Sequence, residues 1–297
     1  MPFVSSKETA GEIPCGAVQQ KLVDTHFQAH LGQWRDVYDG ALVEGAIYRR
    51  RQEIVLSWID ELAMSAGEKV LEIGCGGGRC TLALAQRNYL VHAIDSVPGM
   101  LDSTQQLAVQ AGVRSSVSIG LGDAHDLAFQ DGSFGLVLSI GVMPYLHSPQ
   151  KALKEMARVL RPGGFLLITA GNRWRLNHLL DPWLSPPLQP AKKVVGVIRR
   201  CFRKPRPERP CPPLRLDSPG ELARWLCSVG LVKLKATTVG FPPVTFQGQP
   251  IFGERTSFKL NNWLQGLADR NVPAIRSSGM DYIVLAGKPE GTEERSK

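Results

Sequence analysis

From Val18 to about Met64 the apolar residues recur at spacings of three and four. Trp34, Val37 and Tyr38 are followed by Ile47, Ile54, Val55, Trp58, Ile59 and Leu62. That period is one face of a helix, so two or three helices are expected before the first strand. The pattern then changes to short apolar runs alternating with helix-period stretches. Strands are predicted at Lys69 to Ile73, Leu90 to Ile94, Val117 to Gly120, Phe134 to Ser139 and Phe165 to Thr169. Helices are predicted at Cys80 to Asn88, Pro98 to Ala111 and Pro149 to Leu160, the last ending at an Arg161-Pro162-Gly163-Gly164 turn. Strands alternating with helices of about ten residues describe a parallel, doubly wound α/β sheet.

Residues 173 to 216 interrupt this rhythm with a proline-rich stretch. It resumes with a helix from Ser218 to Val229, where Ser218 caps and Pro219 occupies the first turn. Leu231 to Val239 and Tyr282 to Ala286 are strand-like. Between them Phe258, Leu260, Trp263, Leu264 and Leu267 predict another helix. Five segments follow: an N-terminal tail and helical cap (1–64), a core (65–172), a lid-like insertion (173–216), a C-terminal completion of the sheet and substrate cover (217–289) and a polar tail (290–297).

The charge is located rather than spread. Of the net +8, residues 173 to 215 carry +9 and the rest of the chain −1. The 43% hydrophobic content is enough to bury a core, and no apolar run reaches eighteen residues. The N-terminus has no apolar stretch behind a positive start, so a cytoplasmic location is expected. The six cysteines form no C-x-x-C pair and have no histidine at ligand spacing, which argues against a metal site and for reduced thiols.

The candidate chemistry begins at Glu72-Ile73-Gly74-Cys75-Gly76-Gly77-Gly78-Arg79. A dinucleotide fingerprint, G-x-G-x-x-G, fails at its third glycine, where Arg79 stands, and no G-K-[ST] follows for a P-loop. Glu72 would repel a pyrophosphate and attract an ammonium group. Asp95 closes the second strand at the spacing at which an acid meets ribose hydroxyls. Asp123 ends the third strand, in Gly122-Asp123-Ala124, where it can accept from an exocyclic amine. Three acids at three consecutive strand ends face one crevice and suit a cationic ligand without phosphate.

These residues resemble the class I S-adenosylmethionine-dependent methyltransferases of the small-molecule branch, the type 11 and ubiquinone/menaquinone methyltransferase-like enzymes. The resemblance rests on Val70 to Gly78, Ala93-Ile94-Asp95-Ser96 with Met100 behind it, Gly122-Asp123-Ala124, Phe134-Gly135-Leu136-Val137 and Leu160 to Gly164. It implies a Rossmann-like seven-stranded sheet with an N-terminal helical cap and an inserted lid, and S-adenosyl-L-methionine as cofactor. It further implies that Glu72, Gly74, Cys75, Gly76 and Gly78 hold the methionine part and Asp95 the ribose. Asp123 and Ala124 would hold the adenine, with Met100 packed on its face and Ser96 and Ser139 nearby. One position departs: the Asp usual on the fourth strand is Gly135.

Methyl transfer from a sulfonium is an in-line displacement that needs alignment and exclusion of water, with a general base where the acceptor is a weakly acidic hydroxyl. His147, beyond the fourth strand, is the candidate base, with His125 on the same rim. Trp34, Tyr38, Tyr48 and Tyr145 are expected as an aromatic lid over a small lipophilic or aromatic acceptor, O-methylation being favoured over N or C. A nicotinamide-dependent oxidoreductase and a non-catalytic S-adenosylmethionine-binding protein are the alternatives. In the insertion, Lys192 to Lys204 divide on a helical wheel into an apolar arc of about 160° and an opposite basic arc. Two readings stand: a lid that touches an anionic membrane, or an apolar arc packed on the domain. Nucleic acid ranks below the membrane reading, because only Phe202 interleaves an aromatic with the charges and no RNA-binding module is recognised.

Overall fold

The computed structural model describes residues 16–181, 184–185, 212–246 and 249–290. The helical stretch expected at 192–204 lies outside them. Three helices come first: α1 (Gly16–Ala29), α2 (Leu31–Asp36) and α3 (Val43–Glu61). The alternating part follows as β1 (Lys69–Ile73), α4 (Arg79–Ala85), β2 (Leu90–Asp95), α5 (Pro98–Gln110), β3 (Val117–Leu121), β4 (Phe134–Ser139), α6 (Pro149–Val159) and β5 (Leu160–Gly171). After the short α7 (Leu176–Leu180) come α8 (Pro219–Ser228), β6 (Val232–Val239), a hairpin of β7 (Thr245–Phe246) and β8 (Gln249–Pro250), α9 (Glu254–Asp269) and β9 (Asp281–Gly287).

Seven strands form one sheet in the order β3-β2-β1-β4-β5-β9-β6. β1 to β5 pair in parallel, and β9 inserts antiparallel between β5 and β6. The order reverses between β1 and β4, and at such a switch the loops after the two strands diverge and leave a crevice at their C-terminal ends.

Alternation along the strands sorts the core into two layers. Leu71, Ile73, Val137, Leu166, Ile168 and Val284 face Leu153 and Met156 of α6 and Leu222 and Leu226 of α8. Val70, Leu136, Leu138, Leu167, Ile283 and Leu285 face Val55, Trp58 and Ile59 of α3 and Leu84 of α4. The apolar face read from residues 54 to 62 is therefore what seats α3 on the sheet. The start of α8 carries a full capping box: Glu221 N–H donates to Ser218 Oγ and Ser218 N–H to the Glu221 carboxylate.

One expectation changes and one departure is explained. Arg161 to Gly164 is not a free turn; β5 starts at Leu160, which pairs with Phe134, and the register shifts between Phe134 and Leu136. Gly163 N–H donates to the Lys288 carbonyl and Lys288 N–H to that of Gly164, so the glycines are drawn into the sheet. At Gly135 a β-carbon would overlap the Glu68 carboxylate, which is held by Arg161 at 3.0 Å. Glu68 thus takes the room that a side chain at 135 would need.

Candidate functional site

A cavity of about 280 Å³ opens at the C-terminal ends of β1, β2 and β4, under the N-terminal helices. The glycine loop forms one wall. Gly74, Gly76 and Gly78 all have φ between +53° and +82°, a conformation costly for any other residue. A β-carbon on Gly74 would overlap the Val142 side chain, so the loop after β4 closes on the loop after β1. Gly78 does something else: a β-carbon there would lie 2.9 Å from Thr104 Cα. It lets the start of α4 approach α5. Gly78 is not among the residues lining the cavity, which corrects its expected place at the cofactor.

The three acids line the cavity, each in a different state. Glu72 is buried and accepts from Thr81 Oγ1 at 2.5 Å; its burial pushes the carboxyl up to about 8, so it holds a proton at neutral pH. Asp95 accepts from the Gly76 and Val97 amides, both at 3.0 Å, and burial also raises it. Asp123 accepts through Oδ1 from the His125 backbone N–H at 2.9 Å and bonds the His125 ring at 2.7 Å. Cys75, Ser96, Met100 and Ala124 line the same space. Ser139 does not: it is fully buried inside β4, opposite Ile168 in register, and its hydroxyl has no partner among the described residues.

The opposite wall is aromatic. Phe27 stands 5.0 Å from Tyr145 and 5.1 Å from Trp34, Trp34 lies 6.2 Å from Tyr48, and Tyr48 lies 5.7 Å from Tyr38. The Arg79 guanidinium sits 5.1 Å over Tyr38 and pairs with Asp39, so the residue that spoils the dinucleotide fingerprint ties α4 to the helical cap. The Arg51 guanidinium lies 4.3 Å over Tyr48 and bonds Asp281 at 3.0 Å, and both charges are buried at the cavity. The ends of the 173–216 segment reach the same place, through Arg175 on one side and Leu214 and Leu216 on the other.

His147 is placed elsewhere. Its ring stacks on that of His125 at 3.7 Å, the first residue of α1 packs against it, and it is not among the lining residues. Burial and the neighbouring His125 lower its tendency to take a proton. The rim position read from sequence is right, but the ring turns to the Asp123 side, so the expectation of a base facing the reacting atoms is corrected. The sequence pattern marks neither Phe27 nor Asp281, and it offers Arg51 only as one of the run Arg49-Arg50-Arg51 beside Tyr48, which could bind an acidic substrate or form a solvated face. Arg51 stood in a run of three arginines with no mark to distinguish it, and Asp281 is a lone acid before a strand.

Residues 71–168 match the model of the methyltransferase domain family. Residues 71–168 are a methyltransferase domain. The chain is 33% identical over 181 residues to the O-methyltransferase resE of Aspergillus sclerotiorum, covering 57% of this chain and 66% of that protein. It is 29% identical over 191 residues to the ubiquinone biosynthesis O-methyltransferase of Thiobacillus denitrificans, covering 64% and 75%. The match to the biotin biosynthesis bifunctional protein BioHC of Teredinibacter turnerae, 30% identical, takes in 49% of this chain and 28% of that protein. For several curated relatives, then, the chain spans less than two thirds of their length. Among solved structures, magnesium protoporphyrin IX methyltransferase from Synechocystis with bound S-adenosylhomocysteine aligns at a TM-score of 0.61 and 16% identity, covering 91% and 99%. The [4+2]-cyclase SpnF aligns at 0.59 and 19%, covering 92% and 96%. These two likenesses concern the fold. The cofactor of a class I methyltransferase domain is S-adenosylmethionine, and the acids Glu72, Asp95 and Asp123 around one cavity, Glu72 ionising as a cation approaches it, suit a cationic, phosphate-free ligand of that kind.

Proposed function

We propose that the protein transfers the S-adenosylmethionine methyl group to an oxygen of a small, flat, lipophilic acceptor. The observation that carries this reading is the division of one cavity into a carboxylate wall and an aromatic wall. Asp95 accepts from the ribose hydroxyls, Asp123 from the adenine amine, and Glu72 faces the methionine ammonium. The cofactor supplies a methyl already activated by its sulfonium. The chain's own residues align and exclude water: the five rings from Tyr145 to Tyr38 hold a planar acceptor by stacking and area burial.

Two buried donors support an oxygen-bearing ligand. Trp34 Nε1 and Arg51 Nε have no hydrogen-bond partner among the described residues, and both side chains line the cavity. A buried N–H left unpaired costs roughly 1–3 kcal/mol, which an oxygen acceptor atom would recover. Both relatives named as O-methyltransferases agree with this reading.

Calorimetry with S-adenosylmethionine, S-adenosylhomocysteine and NAD tests the cofactor, and transfer of tritiated methyl to a panel of phenols, carboxylic acids and aromatic amines tests the acceptor class. Binding of NAD in place of the methyl donor overturns the reading in favour of an oxidoreductase. Tight donor binding with no transfer to any acceptor favours a non-catalytic role on this fold. Asp95→Ala weakens donor binding if the ribose assignment is right.

A further inference from the structure

The exposed aromatic side chains are not distributed over the surface. All four exposed Trp and Phe residues among those described, Trp174, Phe246, Phe252 and Trp263, fall between residues 174 and 263. Leu179, Leu180 and Ile251 in the same region are exposed as well. These residues belong to one layer. Thr245 Oγ1 donates to Asp181 at 2.6 Å and joins the β7–β8 hairpin to the end of α7. Beneath, Leu176 of α7 and Leu260 of α9 pack on one cluster with Phe241 and Leu264. The inner sides of α7 and α9 share this small core, and the segment's exposed side chains include these large apolar groups. Large apolar groups gathered on linked elements mark a contact surface, whereas scattered single apolar residues do not.

The charges around the patch say which partner it fits. At 100° per residue, Arg255, Lys259 and Trp263 of α9 fall within an arc of about 80°, and Arg270, which caps the helix, continues the same side. All four are exposed, and Trp263 is 61% exposed. The two acids of this helix lie outside that arc: Glu254 is on the opposite side, and Asp269 is held by Arg50 at 2.9 Å. An indole flanked by cations, with Phe252 at the head of the helix, suits a surface that is apolar below and anionic above. A bilayer interface offers that combination; a protein partner would have to supply it residue by residue.

We propose that α9 and the β7–β8 hairpin form a docking face for an anionic lipid bilayer. Phe246, Ile251, Phe252 and Trp263 enter the interface while Arg255, Lys259 and Arg270 meet phosphate headgroups. The face rests on exposure and charge alone, so it stands whichever acceptor the cavity takes.

Co-sedimentation of the full chain with vesicles of phosphatidylcholine alone, and of phosphatidylcholine and phosphatidylglycerol in equal parts, tests it. The chain sediments with the anionic vesicles. Removing one cation weakens partition about fivefold, so R255Q/K259Q together weaken it about twenty-fivefold. F252S/W263A also weakens it, and brominated acyl chains quench wild-type tryptophan fluorescence more than that of W263A. Because these side chains are exposed, S-adenosylhomocysteine binding is unchanged in every variant. No sedimentation of the wild type overturns the proposal, as does sedimentation that survives both double variants, which would put the contact elsewhere on the chain. Loss of S-adenosylhomocysteine binding by the wild type would instead overturn the cofactor reading and leave the docking face as measured.

Discussion

Arg51 of α3 donates to Asp281 of β9 at 3.0 Å, a buried ion pair between residues 230 apart in the sequence, with both partners on the wall of the cavity. It joins the helical cap to the strand that runs antiparallel beside β5, so the cavity's shape depends on the two ends of the fold meeting.

Removing one partner should cost more than the pair contributes, because the other charge is left buried. Asp281→Ala is expected to lower stability by about 3–5 kcal/mol in urea unfolding. R51M/D281L, which removes both charges at similar volume, is expected to recover most of that. Its cavity would still lack the guanidinium, so methyl transfer stays low in the double variant while folding returns.

Glu72 makes the ligand-free protein sensitive to pH. Its folded value is about 8 against 4.5 for the ordinary group. Between those values the folded chain holds a proton that the unfolded chain has released, so stability falls as pH rises, by up to about 1.4 kcal/mol per pH unit. Thermal unfolding from pH 5 to 8 should show this decline, and Glu72→Gln should flatten it. A cationic ligand favours the ionised carboxylate. Donor affinity therefore rises with pH toward 8 with release of a proton, and calorimetry in buffers of different ionisation enthalpy should register that proton for the wild type and not for Glu72→Gln.

Restoring the acid at the fourth strand is expected to do harm here. Gly135→Asp drives its β-carbon into the Glu68 carboxylate and should destabilise by roughly 1–3 kcal/mol by denaturant midpoint. E68A/G135D should recover most of the loss, since the obstacle is removed. Equal midpoints for the single and double variants would show that Glu68 is not what excludes a side chain.

His147→Ala separates position from proximity. With the ring stacked on His125 and off the cavity wall, the variant is expected to keep methyl transfer within a few-fold of wild type. Asp95→Ala should lose at least tenfold in donor affinity, the equivalent of about 1.4 kcal/mol from hydrogen bonds to a charged group. A loss in His147→Ala confined to kcat, with a changed pH profile, would restore it as the proton acceptor.

The centre of the sheet was legible because β1, β4 and the later parts of β5 and β9 are short apolar runs buried on both faces, whereas the edge strands β3 and β6 are partly exposed and carry a weaker pattern. The carboxylates of the cavity were legible for a related reason: Glu72, Asp95 and Asp123 lie within two positions of strand ends, so chain order gives their place in space. The aromatic wall was only half legible. Trp34, Tyr38, Tyr48 and Tyr145 stood out by type, but Phe27 looks like any apolar residue of an amphipathic helix. Arg51 differs from Arg49 and Arg50 only in the direction that α3 turns it: Arg49 bonds the carbonyls of Tyr38 and Gly40, and Arg50 reaches Asp269. Spacing along one helix cannot tell which of three adjacent arginines will meet an acid placed 230 residues later.

Asn172 and Asp217 lie side by side, with Arg173 N–H donating to the Asp217 carbonyl at 3.0 Å and Asp217 N–H to that of Gly171 at 2.8 Å. The chain leaves the edge of the cavity and returns to it through one narrow neck. Whatever length lies between, the seven strands feel only two adjoining anchor points, and the entropy of closing a longer excursion grows slowly. A segment inserted at this neck can therefore be exchanged, lengthened or pared back as a cassette while the sheet keeps its form.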